Sequence, residues 1–182
     1  PVFFAVLQHM LAAWLTWQCF KIQRRASWAM CAALFVYLGM DELLSIHERV
    51  GTAVSHWGLL QQSGEVKTVR IGDTYFYVWV LVFLPVVALV GGWFLLQFRR
   101  LIGVGSLLML SVAALVLLGG AMGLETRESH QRSTLDLWDY STARHLNLLL
   151  EETMETLGVT LAVGVFAWRR WVLMNIKRDY DT

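Results

Sequence analysis

From Tyr75 to Phe98 the chain runs for 24 residues without one charged side chain. A surface helix needs polar positions on every turn, so a block of this kind is not the face of a soluble domain. Its length suits a helix that crosses a bilayer, which takes roughly 20 mainly apolar residues. Val2–Phe20, Ser27–Leu44, Leu101–Leu124 and Leu146–Trp168 are blocks of similar length and character. Strands of a membrane barrel are shorter, about 10 residues, and alternate in polarity. The expected fold class is therefore all-α: one polytopic transmembrane bundle of about five spans over residues 1–182.

Composition agrees. The chain is 57% hydrophobic and 16% charged, where soluble domains carry about 25% charge. Its net charge of +1 comes from short basic clusters between apolar blocks, a pattern that gives nucleic acid no extended surface. Cys19 and Cys31 lack C-x-x-C spacing and read as two unpaired structural thiols. Val2–Phe20 lacks the basic start and small-residue cleavage site of a signal peptide. The chain opens on Pro1 rather than Met, which leaves room for residues upstream.

Orientation follows from Lys and Arg in the short connections. Lys21, Arg24 and Arg25 separate the first two spans, Arg99 and Arg100 the third and fourth, and Arg169, Arg170, Lys177 and Arg178 follow the fifth. With five spans these all fall on one side, expected to be the cytoplasmic face of an inner membrane. The N-terminus and the longer loops, Arg49–Thr74 and Glu125–Arg144, then lie outside. Of 14 acidic residues, 12 fall on or near that outer side, all but Asp179 and Asp181. His56, Trp57, His130 and Trp138 are scattered in the outer loops and read as interfacial.

Two acidic stretches break the apolar pattern: Asp41-Glu42-Leu43-Leu44-Ser45-Ile46-His47-Glu48 and Glu151-Glu152-Thr153-Met154-Glu155. Ionisable groups at membrane depth are costly and face a bundle interior with partners. At about 1.5 Å per residue, Asp41 lies about 24 Å above Arg25, Glu155 about 21 Å above Arg169 and His9 about 18 Å above Lys21. They share one stratum of a hydrocarbon core about 30 Å thick. In an unbroken helix Asp41, Ser45 and Glu48 form one stripe, with Glu42 and His47 to either side. Asn147, Glu151, Glu155 and Gly158 form another, with Glu152 beside it. Two carboxylates on one face at low dielectric repel unless a cation or proton separates them, and the spans offer no basic partner at that depth.

A divalent metal is the first expectation, since hard cations take carboxylate oxygens and imidazole adds a preference for a transition metal. The candidate ligands are Asp41, His47, Glu48, Glu151 and Glu155, with Glu125, Glu152 and His9 in reserve. Shared protons in a structural network are the alternative, and His9 taken alone reads as a packing residue. Sharper motifs fail: Gly51 replaces the second His of H-E-x-x-H, Leu44 replaces the Glu of a di-iron Glu-x-x-His, and Ser45 has no nucleophile-elbow context. Gly119 and Gly123 have the small-xxx-small spacing of close helix approach, as do Gly158 and Ala162.

The two acidic motifs, D-E-x-x-S-x-H-E and E-E-x-x-E-x-x-G, with the glycine-rich span Gly119–Glu125 between them, resemble those of a scattered group of uncharacterised bacterial polytopic membrane proteins. The likeness covers Ser27 to Trp168 and implies a shared site, not a reaction. Two function classes follow. One is metal-dependent chemistry on a lipid or lipid-linked substrate at the outer leaflet. The other is a non-catalytic subunit among other membrane subunits, with the acidic cluster as a structural ion or hydrogen-bond site. A proton relay ranks below both, because the inner halves of the spans offer almost no polar steps.

Overall fold

A computed structural model describes residues 2–56, 68–71, 74–135 and 137–181. The chain is an all-α bundle, with one small hairpin among the described residues. Its elements are α1 (Val2–Gln23), α2 (Ala26–Leu44), α3 (Ile46–His56), β1 (Thr68–Ile71), β2 (Thr74–Tyr77), α4 (Val78–Phe98) and α5 (Val104–Leu118). A π-helical turn (Gly119–Leu124), α6 (Glu125–Thr134) and α7 (Leu137–Asp181) complete it. Among the described residues, four helices are long and apolar enough to cross a membrane: Ala26–Leu44, Val78–Phe98, Val104–Arg132 and Ala143–Asp179. The membrane reading of the sequence thus stands. α1 has 22 residues but is more polar, with Gln8, His9, Thr16 and Gln18 along it.

α7 is the spine. Its 45 residues span about 68 Å at roughly 1.5 Å each, more than the full thickness of a bilayer. α1 and α5 pack along it, and α2 packs along α1. Close approach comes from glycine at several points. A Cβ on Gly158 would stand 2.8 Å from the Ala113 carbonyl oxygen and Leu117 Cβ, so α5 lies directly on α7. Gly120 meets Met154 Cβ at 3.0 Å and the Glu151 carbonyl at 3.2 Å, whereas Gly123 meets nothing within 4 Å. Of the expected Gly119–Gly123 pair only Gly119 meets α7, where an added Cβ would stand 3.2 Å from Met154 Cε; the π turn changes which face of the segment meets α7. Gly51 brings α3 against the start of α4, where an added Cβ would stand 2.7 Å from Trp79 Cβ.

The core sits towards the arginine end. Trp28 is fully buried and packs edge-on against Phe98, with ring centroids 4.8 Å apart, and against Phe166. Cys19 and Cys31 are buried free thiols in the same cluster. Hydroxyls inside the spans return to their own helix: Thr16, Ser111, Thr153 and Thr160 each donate to a carbonyl one turn back, and Thr160 also accepts the Gln8 side-chain N–H from α1 at 2.8 Å. Trp57 lies outside the described residues, as do the side chains of His56 and Trp138.

Candidate functional site

The acidic motif at the end of α2 does not continue as a helix. Ser45 adopts left-handed backbone angles (φ 48°, ψ 50°), and its N–H bonds the Asp41 carbonyl at 2.7 Å. The chain then restarts as α3. The stripe through Asp41, Ser45 and Glu48 expected for an unbroken helix is therefore absent. The break instead folds His47 back over Asp41. Asp41 Oδ1 accepts the His47 backbone N–H and Oδ2 accepts the Nδ1–H of its ring, each at 2.8 Å. One carboxylate thus caps the new helix and holds its imidazole. The pair is mostly shielded, with 24% of the His47 side chain and 17% of the Asp41 side chain exposed.

The far side of the His47 ring lies against Trp79, at a centroid distance of 4.5 Å. The Trp79 indole N–H in turn donates to Glu125. Burial works against an imidazolium at His47. The Asp41 hydrogen bond and the charges of Asp41, Glu48 and Glu125 outweigh it, so the His47 pKa lies above the ordinary histidine value.

Carboxylates from two further segments, α6 and α7, lie within electrostatic reach of this pair and its neighbour Glu42. Glu125 follows the π turn and lies within electrostatic reach of His47, Glu48 and Glu128. Glu155, on α7, feels Glu42, Glu125, Glu152 and the imidazole of His47. Glu151 feels Glu125, Glu155, Glu128 and Glu42. Glu42, not Asp41, is the residue of the first acidic stretch within electrostatic reach of Glu151, Glu152 and Glu155. Spacing set Glu42 aside, because it assumed a helix that runs past Ser45. Among the described residues, no group of three His, Cys, Asp or Glu side chains is already close enough to hold a metal ion.

The remaining candidates, Glu48 and the reserve residues Glu152 and His9, separate. Glu152 acts on both Glu42 and Glu155. Glu48 is exposed in the first turn of α3, where a carboxylate complements the helix dipole. His9 is 4% exposed, bonds the Ala5 carbonyl at 2.8 Å and packs against Phe35 and Gly39. Above the cluster, Glu128 accepts a hydrogen bond from the Tyr140 hydroxyl at 2.8 Å and lies 3.5 Å from Arg144. Tyr77 bonds Arg132, and burial beside Glu128 pushes its pKa up to about 12. Asn147 Nδ2 donates to Gln131 at 2.6 Å, which ties α6 to α7.

A family model described as a domain of unknown function, DUF8692, matches residues 1–169. No curated protein matches, and no solved structure matches.

Proposed function

We propose that this chain, which belongs to the DUF8692 family, is a membrane protein whose working part is a divalent-cation site. The site would be built from His47, Glu125, Glu151 and Glu155, with Glu42 beside them. The observation that carries this reading is the arrangement at His47. Asp41 occupies Nδ1, which leaves Nε2 as the nitrogen for a second partner, and Glu125 and Glu155 lie within reach of that imidazole. A carboxylate behind a ligating histidine fixes its tautomer and raises its basicity. Asp41 accordingly supports a ligand rather than acting as one. A cation would also relieve the mutual repulsion of four carboxylates, which one imidazole balances only in part.

A bound cation would polarise an ester or phosphoryl oxygen or activate water. With the acidic end facing outward, as the arginine distribution favours, the substrate class would be a lipid or lipid-linked group of the outer leaflet. Glu48 and Glu152 stand at the rim as candidate bases.

A second reading is favoured by the spacing of the side chains, since among the described residues no three are grouped closely enough to hold an ion as they stand. The carboxyls would then share protons and act as a polar lock in an accessory subunit. One experiment separates the two. Protein purified in detergent and dialysed against a mixture of Mn²⁺, Zn²⁺ and Mg²⁺ is assayed for bound metal. About one ion per chain is expected, falling to background in Glu155→Gln and His47→Gln. Equal metal in all three proteins, or none in any of them, ends the cation reading and leaves the shared-proton lock.

A further inference from the structure

The acidic site lies at one end of the bundle; a different feature lies at the other. α4 is held to α2 and α3 at its two ends. Trp79 meets Gly51 and His47 of α3, and Phe98 packs against Trp28 of α2. Between these anchors the helix contains Pro85, which removes one backbone hydrogen bond and bends a helix. α2 and α4 scarcely touch along this stretch. The gap is an apolar groove of about 460 Å³ lined by Met30, Leu34, Leu89, Val90, Trp93 and Phe94.

At the arginine end of α4 a second cavity, of about 510 Å³, is lined by Leu96, Gln97, Arg99 and Arg100. The two adjoin on one face of α4, because Leu89, Trp93 and Leu96 recur at helical spacing and Arg99 and Arg100 follow in the turn directly after the helix. Ser27, at the start of α2, donates to Gln97 at 3.5 Å at the junction. Among the described residues, neither Arg99 nor Arg100 forms an ion pair.

We propose that this face binds one phospholipid, with its phosphate between Arg99 and Arg100 and an acyl chain in the groove between α2 and α4. Two independent features point to that occupant. The first is charge: guanidinium groups match phosphate oxygens in fork geometry, and basic pockets beside membrane helices take lipid headgroups. The second is length. Arg100 to Leu89 covers 11 residues, or about 16 Å of helix rise. That is half of a hydrocarbon core about 30 Å thick, the depth of one leaflet. A packed protein helix would fill the groove but leave the two arginines without an anion. The lipid belongs to the leaflet at the arginine end and does not depend on the acidic site.

The test uses the whole chain reconstituted with phosphatidylglycerol, then released into detergent for native mass spectrometry. One phosphatidylglycerol per chain is expected. The double variant Arg99→Gln/Arg100→Gln should retain at least tenfold less, and Val90→Trp, which fills the groove but keeps both arginines, should lose the lipid as well. Diacylglycerol, which has the tails but no phosphate, should not be retained. Thermal unfolding and bound divalent metal are read on the same samples, so a folding failure or a failure at the acidic site is seen separately. If Val90→Trp does not fold, Val90→Phe takes its place. Equal lipid in wild type and the arginine variant, equal retention of diacylglycerol, or cross-linking of Leu89→Cys to a second copy would each overturn the proposal.

Discussion

Asp41 does with one carboxylate what usually takes two residues: it caps α3 through Oδ1 and fixes an imidazole through Oδ2. Hydrogen bonds to an ionised acceptor contribute about 1.5–3 kcal/mol each when shielded from water. Asn at this position keeps one acceptor oxygen and loses the charge. Asp41→Asn is therefore expected to lower the thermal midpoint in detergent by the equivalent of about 1–3 kcal/mol. It should also weaken cation binding by about 10–100-fold, the usual effect of losing a support behind a ligand. Unchanged affinity in isothermal titration would mean that His47 is not a ligand.

The same pair sets a pH dependence in the metal-free protein. The folded His47 pKa is raised against an unfolded value of about 6.5. A raised histidine contributes stability that is fully present below about pH 6.5 and is lost as pH rises through the folded value. In chelator, the midpoint of unfolding should fall as pH is stepped upward from 6, and Asp41→Asn should flatten that fall. A wild-type curve already flat over this range would show that the imidazolium is no better accommodated in the folded chain than in the unfolded one.

At the scale of elements, two irregular segments build the site, and neither announces itself in the sequence. The break at Ser45 uses left-handed angles at a residue that is neither Gly nor Asn, so no breaker residue marks it. The π turn arises within Gly119–Leu124, where glycine spacing suggested only close packing. Its physical effect is to add one residue to a turn, and one residue is about 100° of helix rotation. Deleting Gly123 should convert the turn to α-helix and swing Glu125 away from His47, with loss of bound metal and little loss of helicity by circular dichroism. Gly123→Ala should change neither, because nothing lies within 4 Å of a Cβ there. Metal retained by the deletion variant would show that Glu125 is dispensable. The hairpin, by contrast, carries a signal that the boundary between the outer loop and the third span cut in two: Thr68–Ile71 and Thr74–Tyr77 are rich in β-branched and aromatic residues and flank Gly72-Asp73.

At the scale of the whole molecule, hydropathy made the helical blocks legible because bilayer thickness imposes a length that composition must obey. Charge at depth made the acidic stretches legible, because lipid gives uncompensated carboxylates no other place to go. What stayed hidden was the helix break at Ser45, which returns His47 to Asp41 and leaves Glu42 as the α2 carboxylate coupled to α7. The bundle is thus polarised: Glu42, Glu125, Glu151 and Glu155 gather near one end, while Lys21, Arg24, Arg25, Arg99 and Arg100 mark the other. Positive connections stay on the cytoplasmic side during insertion, so the acidic end should face outward. The endogenous thiols Cys19 and Cys31 are buried and should react slowly, so single cysteines can report topology. In intact cells, Glu48→Cys, at the exposed start of α3, should react with a membrane-impermeant maleimide, whereas Arg178→Cys, near the end of α7, should react only after permeabilisation. The opposite labelling pattern would place the acidic site on the cytoplasmic face, and the lipid class proposed for it would change leaflet with it.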